Sequence, residues 1–220
     1  MKKILVLTVL AALATTPSWA MPLVEFSPDP STAGNWSYNG ALSVLSFDQD
    51  IAVDKAISST SDALVNAHVY LPSFYVSGSS GQYSLTTLGS PEVRFTDSTG
   101  TVTYMTGSLG NGDLQTIGTV AAAYSQFQSD ITNVEITPEG HALGSGALDL
   151  LSYLSSPSLD FDMSLQGGSG ANYHSFAAMI DGGFSGTSGF SGSMSVPEPT
   201  TIALLGFGSL ALARRRRTTS

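Results

Sequence analysis

Aspartates at short spacings are the residues of this chain best suited to chemistry. Asp160 and Asp162 are two residues apart, and Asp48, Asp50 and Asp54 form a second acidic group. Carboxylates spaced in this way can share a divalent cation, and calcium binds oxygen ligands. Neither group has the glycine-centred loop and terminal glutamate of an EF-hand. The sequence therefore requires no cofactor, and Ca²⁺ at Asp48, Asp50 and Asp54 is the one metal site that it suggests.

Residues that could supply a nucleophile or a general base are scattered along the chain. His68, His141 and His174 are far apart, and the chain has no cysteine. No serine lies in the Gly-x-Ser-x-Gly turn of a hydrolase. Paired carboxylates can cleave a glycosidic bond only where the fold places them on either side of that bond. We therefore expect no catalytic residues and no enzymatic activity, and a secreted hydrolase is the least favoured alternative.

Aromatic residues offer a second kind of binding chemistry, because a flat ring can stack on a sugar. Trp36 and Tyr38 are candidates, as are Tyr173 and Phe176. Trp36 and Tyr38 are two residues apart and share one strand face, where we expect them to pack in the core rather than to bind a sugar. A lectin-like module is thus an alternative function for the body of the chain.

The last 25 residues differ sharply in composition from the rest of the chain. Pro197-Glu198-Pro199 is followed by an apolar segment, Ile202–Ala213, and then by Arg214, Arg215, Arg216 and Arg217. The prolines favour an extended backbone that a protease can engage. The apolar segment would form a helix of about 18 Å, shorter than the roughly 30 Å hydrocarbon core of a bilayer. The arginines resist translocation and would keep the C-terminus on the cytoplasmic side.

This order of motif, apolar segment and arginine cluster resembles the PEP-CTERM sorting signal of Gram-negative bacteria. The resemblance implies that an exosortase, a membrane protease, recognises Pro197, Glu198 and Pro199, cleaves there and removes the tail. The helix would then enter the inner membrane only transiently. Members of this family occur with exopolysaccharide production in biofilm-forming bacteria, so the resemblance also implies an exopolysaccharide partner. An ordinary tail anchor behind a proline linker is the alternative.

The N-terminus has the features of a secretory signal peptide. Lys2 and Lys3 precede the apolar run Ile4–Leu13, and Ser18-Trp19-Ala20 is a small-x-small cleavage site. We place the cut after Ala20. The chain then divides into a signal peptide (1–20), a body (21–195) and a sorting signal (196–220), with a predicted helix in each terminal segment.

The body is predicted to consist of strands. Leu159–Gln166 alternates most regularly, with Leu159, Phe161, Met163 and Leu165 on one face and the two aspartates on the other. Phe184–Val196 alternates too, as one strand or as two short ones. Glu92–Thr96 and Thr101–Thr106 predict a hairpin.

Further strands are expected where apolar and polar residues alternate between turn signals. These are a bulged strand from Tyr38 to Phe47, then Ala67–Ser77, Gln82–Leu88, Leu114–Ala122, Ile131–Ile136 and Ala147–Leu154. Asp54–Asn66 could hold a turn or two of helix. The pattern predicts an all-β fold, a single antiparallel β-sandwich for which a jelly roll is one topology.

The charge of the body limits its partners. Residues 21–199 contain all 17 acidic residues but only Lys55 and Arg94 of the basic ones, which gives a net charge of about −15. Such a surface repels nucleic acid and favours solubility. We expect an exported structural protein of the cell surface or extracellular matrix, associated with exopolysaccharide or biofilm. A carbohydrate-binding module is the alternative.

Overall fold

A computed structural model describes residues 22–27, 36–48, 51–117, 124–154, 157–166 and 176–197. These residues belong to one compact unit, Met21–Val196, except Pro197, which falls with the two terminal segments in a separate unit. The predicted signal helix, Ala20, the predicted sorting helix and the arginine cluster all lie outside the described residues. None of the three helices in the described part of the chain has the length and apolar character that a bilayer crossing requires.

The described part of the chain contains fourteen strands and three short helices, and every pairing between strands is antiparallel. The strands are β1 Pro22–Ser27, β2 Trp36–Asn39, β3 Val44–Phe47, β4 Ile51–Ala56, β5 His68–Tyr70, β6 Ser73–Ser79, β7 Gln82–Leu88, β8 Glu92–Thr96, β9 Thr103–Leu109, β10 Gly112–Ile117, β11 Tyr124–Ile136, β12 Leu159–Gln166, β13 Gly186–Ser188 and β14 Phe190–Ser195. The helices are α1 Pro138–Ala142, α2 Gly146–Ser152 and α3 Phe176–Gly182. The predicted all-β class is confirmed.

The strands form one continuous sheet rather than the two separate sheets of the predicted sandwich. The order β12-β14-β1-β4-β5-β8-β9-β11 closes on itself, because β11 also pairs with β12. A wing of further strands, β10-β7-β6-β3-β2-β13, continues from β11. The long strand β11 joins ring and wing: its first half pairs with β10 and β12, and its second half pairs with β9.

A closed circuit of six phenylalanines marks the centre of the core. Each ring lies with its centroid 5.2 to 6.3 Å from the next, a range typical of favourable aromatic pairs. In order around the circuit they are Phe26, Phe161, Phe127, Phe74, Phe47 and Phe190. Because β3 and β6 of the wing contribute two of them, the inner face of the wing packs against the inner face of the ring.

Several predicted strands are confirmed with small shifts. Leu159–Gln166 and Gln82–Leu88 form strands with the predicted bounds, and β8 and β9 form the predicted hairpin. Trp36 and Tyr38 are buried, as core packing required, and both contact Phe176 of α3. Phe184–Val196 is split into β13 and β14, which lie far apart in the strand order.

Some details of the predicted elements are wrong. The bulged strand from Tyr38 to Phe47 is a hairpin, since residues 40–43 form a turn with Ser43 at a φ of 53°. Residues 67–77 are divided between β5 and β6. Asp54–Asn66 contains no helix, because β4 covers its start and turns cover the rest. Phe184 lies outside both final strands and is 49% exposed.

The predicted strand Ala147–Leu154 is instead the helix α2. Ser145 caps it, since its hydroxyl accepts a hydrogen bond from the amide of Leu148 at 3.3 Å. Ala147, Leu148 and Leu151 are buried at helical spacing, whereas Tyr153 just beyond the helix is 85% exposed. A short apolar run is compatible with either a helix or a strand. Here the cap at Ser145 favours the helix.

Candidate functional site

The outer face of β7, β10, β11, β12, β14 and β1 carries mostly polar side chains. Alternation directs the phenylalanines inward and polar side chains outward. Two unbroken rows of cross-strand neighbours result, which we call the amide row and the carboxylate row. The amide row is Gln82, Gln115, Gln126, Ser164 and Ser191. The carboxylate row is Ser84, Asp113, Gln128, Asp162, Ser193 and Glu25.

The central part of these rows lines a cleft of about 560 Å³, the polar groove, formed by β10, β11 and β12. Gln128 donates a hydrogen bond from its amide nitrogen to the carboxylate of Asp162, at 2.8 Å. Ser84 donates to the carboxylate of Asp113 at 3.3 Å. These bonds fix the orientation of the side chains while leaving other oxygens of the groove available to a ligand.

Gly112 at the start of β10 allows the groove to have its shape. A Cβ atom at this position would lie 2.0 Å from the carbonyl oxygen of Gln128 and 2.8 Å from the ring of Phe127. Only a residue without a side chain fits there, so β10 can approach β11 closely at the carboxylate row.

Asp160 lies at the edge of the groove, directly opposite Asp130 on β11. Partial burial raises the pKa of the Asp160 carboxyl, and the nearby charges of Asp130 and Asp162 raise it further. The chain thus holds like charges together here, with no basic side chain among the described residues that line the groove. The predicted pair Asp160 and Asp162 does share one face, as the alternation indicated.

A small exposed apolar patch lies beside the amide row. Tyr124 is directly opposite Ile117, and the two are 42% and 40% exposed. Tyr124 has the same parity along β11 as Gln126 and Gln128, so its ring belongs to the outer face. The groove therefore offers amide, hydroxyl and carboxylate groups next to an exposed aromatic ring.

The predicted calcium residues are not brought together by anything that the structure describes. Asp48 follows β3, Asp54 lies on β4 and accepts a hydrogen bond from the hydroxyl of Ser27, and Asp50 lies outside the described residues. No group of three or more possible metal ligands occurs within the described ranges. Calcium at Asp48, Asp50 and Asp54 stays a prediction.

The other candidate residues from the sequence do not lie in the groove. His68 pairs across β4 and β8, and His141 lies in α1. His174 and Tyr173 fall outside the described residues, and Phe176 is buried. The glutamines of the groove were missed by the sequence reasoning. Gln82, Gln115, Gln126 and Gln128, the four glutamines whose side chains the structure describes, all lie in the two rows, and this concentration was a usable signal.

The start of the tail is joined directly to the folded body. Ser195, the last residue of β14, pairs with Asp160 on one side and with Pro22 of β1 on the other. Val196 packs partly buried against the core. Pro197, the first residue of the predicted cleavage motif, is the last one described, whereas Glu198 and Pro199 lie beyond. The two ends of the body therefore meet at neighbouring strands, with no spacer before the motif.

Comparison with known proteins identifies this tail. Residues 195–217 match the PEP-CTERM protein-sorting motif. No curated protein and no solved structure matches the chain significantly. The chain therefore carries a PEP-CTERM sorting motif, and the match concerns its tail rather than its body. The motif supports an exported protein that an exosortase system sorts to the cell surface or the extracellular space.

Proposed function

We propose that the body is a non-enzymatic structural protein of the extracellular matrix, which binds the exopolysaccharide of its own host through the polar groove. The observation that carries the proposal is the pair of polar rows beside Tyr124. Glutamine amides can donate to and accept from sugar hydroxyls, and carboxylates accept from them. The exposed ring of Tyr124 offers an apolar surface with a polar tip.

The sorting tail supports the same proposal from another direction. An exosortase substrate reaches the cell surface or the extracellular space, and this is where a protein can meet a secreted polysaccharide. The net charge of about −15 on residues 21–199 keeps such a protein soluble, and it disfavours nucleic acid as the partner.

The placement of the carboxylates supports binding over hydrolysis. Asp130, Asp160 and Asp162 lie on one face of neighbouring strands. A sugar lying on this face meets all three from the same side. A hydrolase instead needs an acid and a second carboxylate that flank the scissile bond. The alternative is a hydrolase in which Asp160, whose pKa is raised, serves as the acid.

The test is binding of the processed protein, purified from its host, to exopolysaccharide purified from the same host. We expect it to cosediment with the polymer and to release no new reducing ends. The double variant Gln115→Ala and Gln126→Ala should lose most of the bound fraction. Glu135→Gln is the matched control, since Glu135 is exposed on β11 but lies outside both rows. Equal binding by both variants would refute the groove as the site, and new reducing ends would show a hydrolase.

Sorting can be tested in the host by changing the cleavage motif alone. Pro197→Ala together with Pro199→Ala should leave export intact but retain an uncleaved form in the inner membrane. Mass spectrometry of both termini reads the outcome. A normal mature mass at the surface would mean that the prolines are not what the exosortase recognises.

A further inference from the structure

The two polar rows are continuous over a long path that runs across the strands. In the carboxylate row, each residue is the cross-strand neighbour of the next, from Ser84 on β7 to Glu25 on β1. The path therefore crosses five strand intervals. Since neighbouring strands are about 4.8 Å apart, it is roughly 24 Å long. A free monosaccharide would cover only a small part of it.

Two further hollows extend the central groove at its ends. One, of about 340 Å³, shares Asp113 and Gln115 with the central groove and reaches Ser77 and Gly78. The other, of about 380 Å³, shares Gln126 and Asp162 with it. Because neighbouring hollows share lining residues, the three form a single track.

Small residues line the outer parts of this track. Ser77 and Gly78 lie in the hollow beyond β7. Ser191, Gly192 and Ser193 lie in the hollow on β14. A site that recognises the end of a polymer needs a wall against which that end rests. Small residues at both ends instead leave room for a chain to continue past the track beside the amide row, whereas the carboxylate row ends at Glu25 and its ion pair with Lys55.

The strand pairings argue against a peptide as the occupant. Extended peptides bind sheets by adding a strand to an open edge. β10 is paired with β7 and β11, and β12 is paired with β11 and β14, so the strands below the groove have no open edge there. A ligand in this track must cross the strands and bind through side chains.

The negative charge of the track limits which polymers can bind in it. Asp113, Asp130, Asp160 and Asp162 lie along its central part. Lys55, beyond the end of the carboxylate row, is bound to Glu25 at 3.0 Å. A chain of uronic acids or sulfated sugars would meet charges of its own sign, which costs binding energy. An uncharged or amino-bearing chain would not.

From this geometry we infer that the groove takes the interior of one extended, linear, non-anionic polysaccharide chain that crosses the strands. One sugar residue of an extended chain advances by about the width of one strand interval, so the track accommodates roughly five residues. This inference rests on the proposed function, and it adds the length, direction and charge class of the ligand.

The test uses exopolysaccharide from the host, partially hydrolysed and separated by chain length, titrated into the processed protein by calorimetry. The affinity per binding site should rise at least about tenfold from disaccharide to five-residue fragments and stay within about twofold for longer ones. Reducing and capping the chain ends should leave this affinity unchanged. The variant Gln82→Ala, at one end of the amide row, should lower the affinity for five-residue fragments but not for disaccharides.

The outcomes separate this inference from the proposed function. If the intact polymer does not bind, both fail. If it binds but affinity does not depend on length, or is lost when the chain ends are modified, the protein binds polysaccharide but the track does not hold a chain interior. A host polymer that binds and proves rich in uronic acid or sulfate would refute the charge class. The control is the melting temperature of the Gln82→Ala variant. A value equal to that of the wild-type protein would show that the substitution acts on binding rather than on folding.

Discussion

The side chains on the two faces of β11 and β12 are under different constraints, although both faces belong to the same strands. On the inner face, Phe127, Phe161 and Leu165 are buried, and the rings of Phe127 and Phe161 pack against each other. On the outer face, Gln128 and Asp162 make one hydrogen bond to each other and border an open groove. Packing determines which residues the inner face accepts, whereas nothing in the fold requires amides or carboxylates on the outer face.

This difference between the inner and outer faces supports the polar groove as the proposed binding site. Like charges on directly opposed strand positions destabilise a sheet, yet Asp130 and Asp160 occupy such positions. A surface that served only solubility would not need to place them together. Residues whose arrangement works against stability are candidates for binding, and the groove is where this chain concentrates them.

The largest effect is expected on the inner face. Phe161 is 1% exposed, and its ring centroid lies 6.0 Å from that of Phe26 and 5.9 Å from that of Phe127. Phe161→Ala leaves a cavity at the centre of the aromatic circuit and should lower the free energy of unfolding by roughly 3–5 kcal/mol. Urea denaturation measures it. A loss below about 1 kcal/mol would mean that the circuit does not hold the core together.

The outer face should show the opposite behaviour. Gln128→Ala removes the hydrogen bond to Asp162 from an exposed position, so the free energy of unfolding should change by less than about 0.5 kcal/mol. Binding of host exopolysaccharide should fall by about tenfold, which corresponds to about 1.4 kcal/mol. Thr132→Ala, also exposed on β11, is the control for binding. A variant that unfolds easily but binds normally would reverse the assignment of the two faces.

A smaller effect is expected at Asp160. Because burial and like charges raise the pKa of Asp160 in the folded protein, its ionised form costs stability at neutral pH. This cost should disappear as the pH falls through the raised pKa toward 3.8, the ordinary pKa of an aspartate. Asp160→Asn should therefore raise the melting temperature at pH 7 and remove that part of its pH dependence. A lower melting temperature at pH 7 would show that the carboxylate is held by a favourable partner.

The smallest effect concerns a carboxylate with a structural role, in the turn between β8 and β9. Asp97 accepts hydrogen bonds from the amides of Thr101 and Val102, both at 2.8 Å, and from the hydroxyl of Thr99. The Thr99 hydroxyl and these amides lower the pKa of Asp97 to about 2. Its contribution to stability is present above 3.8 and is lost as the pH falls through about 2.

Acid titration of the Asp97→Asn variant tests this contrast with Asp160. The wild-type protein should lose a small part of its stability between pH 3.8 and about 2, and the variant should lack that component. The two aspartates then respond to acid in opposite directions, because one is surrounded by donors and the other by like charges. Identical acid profiles of variant and wild type would contradict the turn geometry.

Alternation along single strands was readable from the sequence, and register between strands was not. β12 was predicted with its bounds and both faces, because one face is buried and the period is strict. β1 was missed, since Leu23 and Val24 are both buried beside an irregular pairing. The groove needs Gln126 and Asp162 on neighbouring strands, and strands that are distant in sequence reveal their pairing only in the fold.

Residues 184–186 and residues 190–192 are both Phe-Ser-Gly, and these two copies show the same limit. Phe190 is buried in the aromatic circuit, whereas Phe184 is exposed, although the local sequence is the same. The first copy ends on Gly186, the first residue of β13 at the end of the wing, and the second begins β14 inside the ring. The sorting motif, in contrast, was readable because it is a pattern of neighbouring residues that does not depend on the fold.

The most direct test of the account is a map of where host exopolysaccharide contacts the processed, isotope-labelled protein. Amide chemical shifts are followed by NMR as the polymer is added. We predict perturbations along the amide and carboxylate rows and around Tyr124, with the amides of the β8–β9 turn unchanged. Perturbations confined to other surfaces, such as that around Tyr153, would contradict the assignment of the polar groove as the functional face.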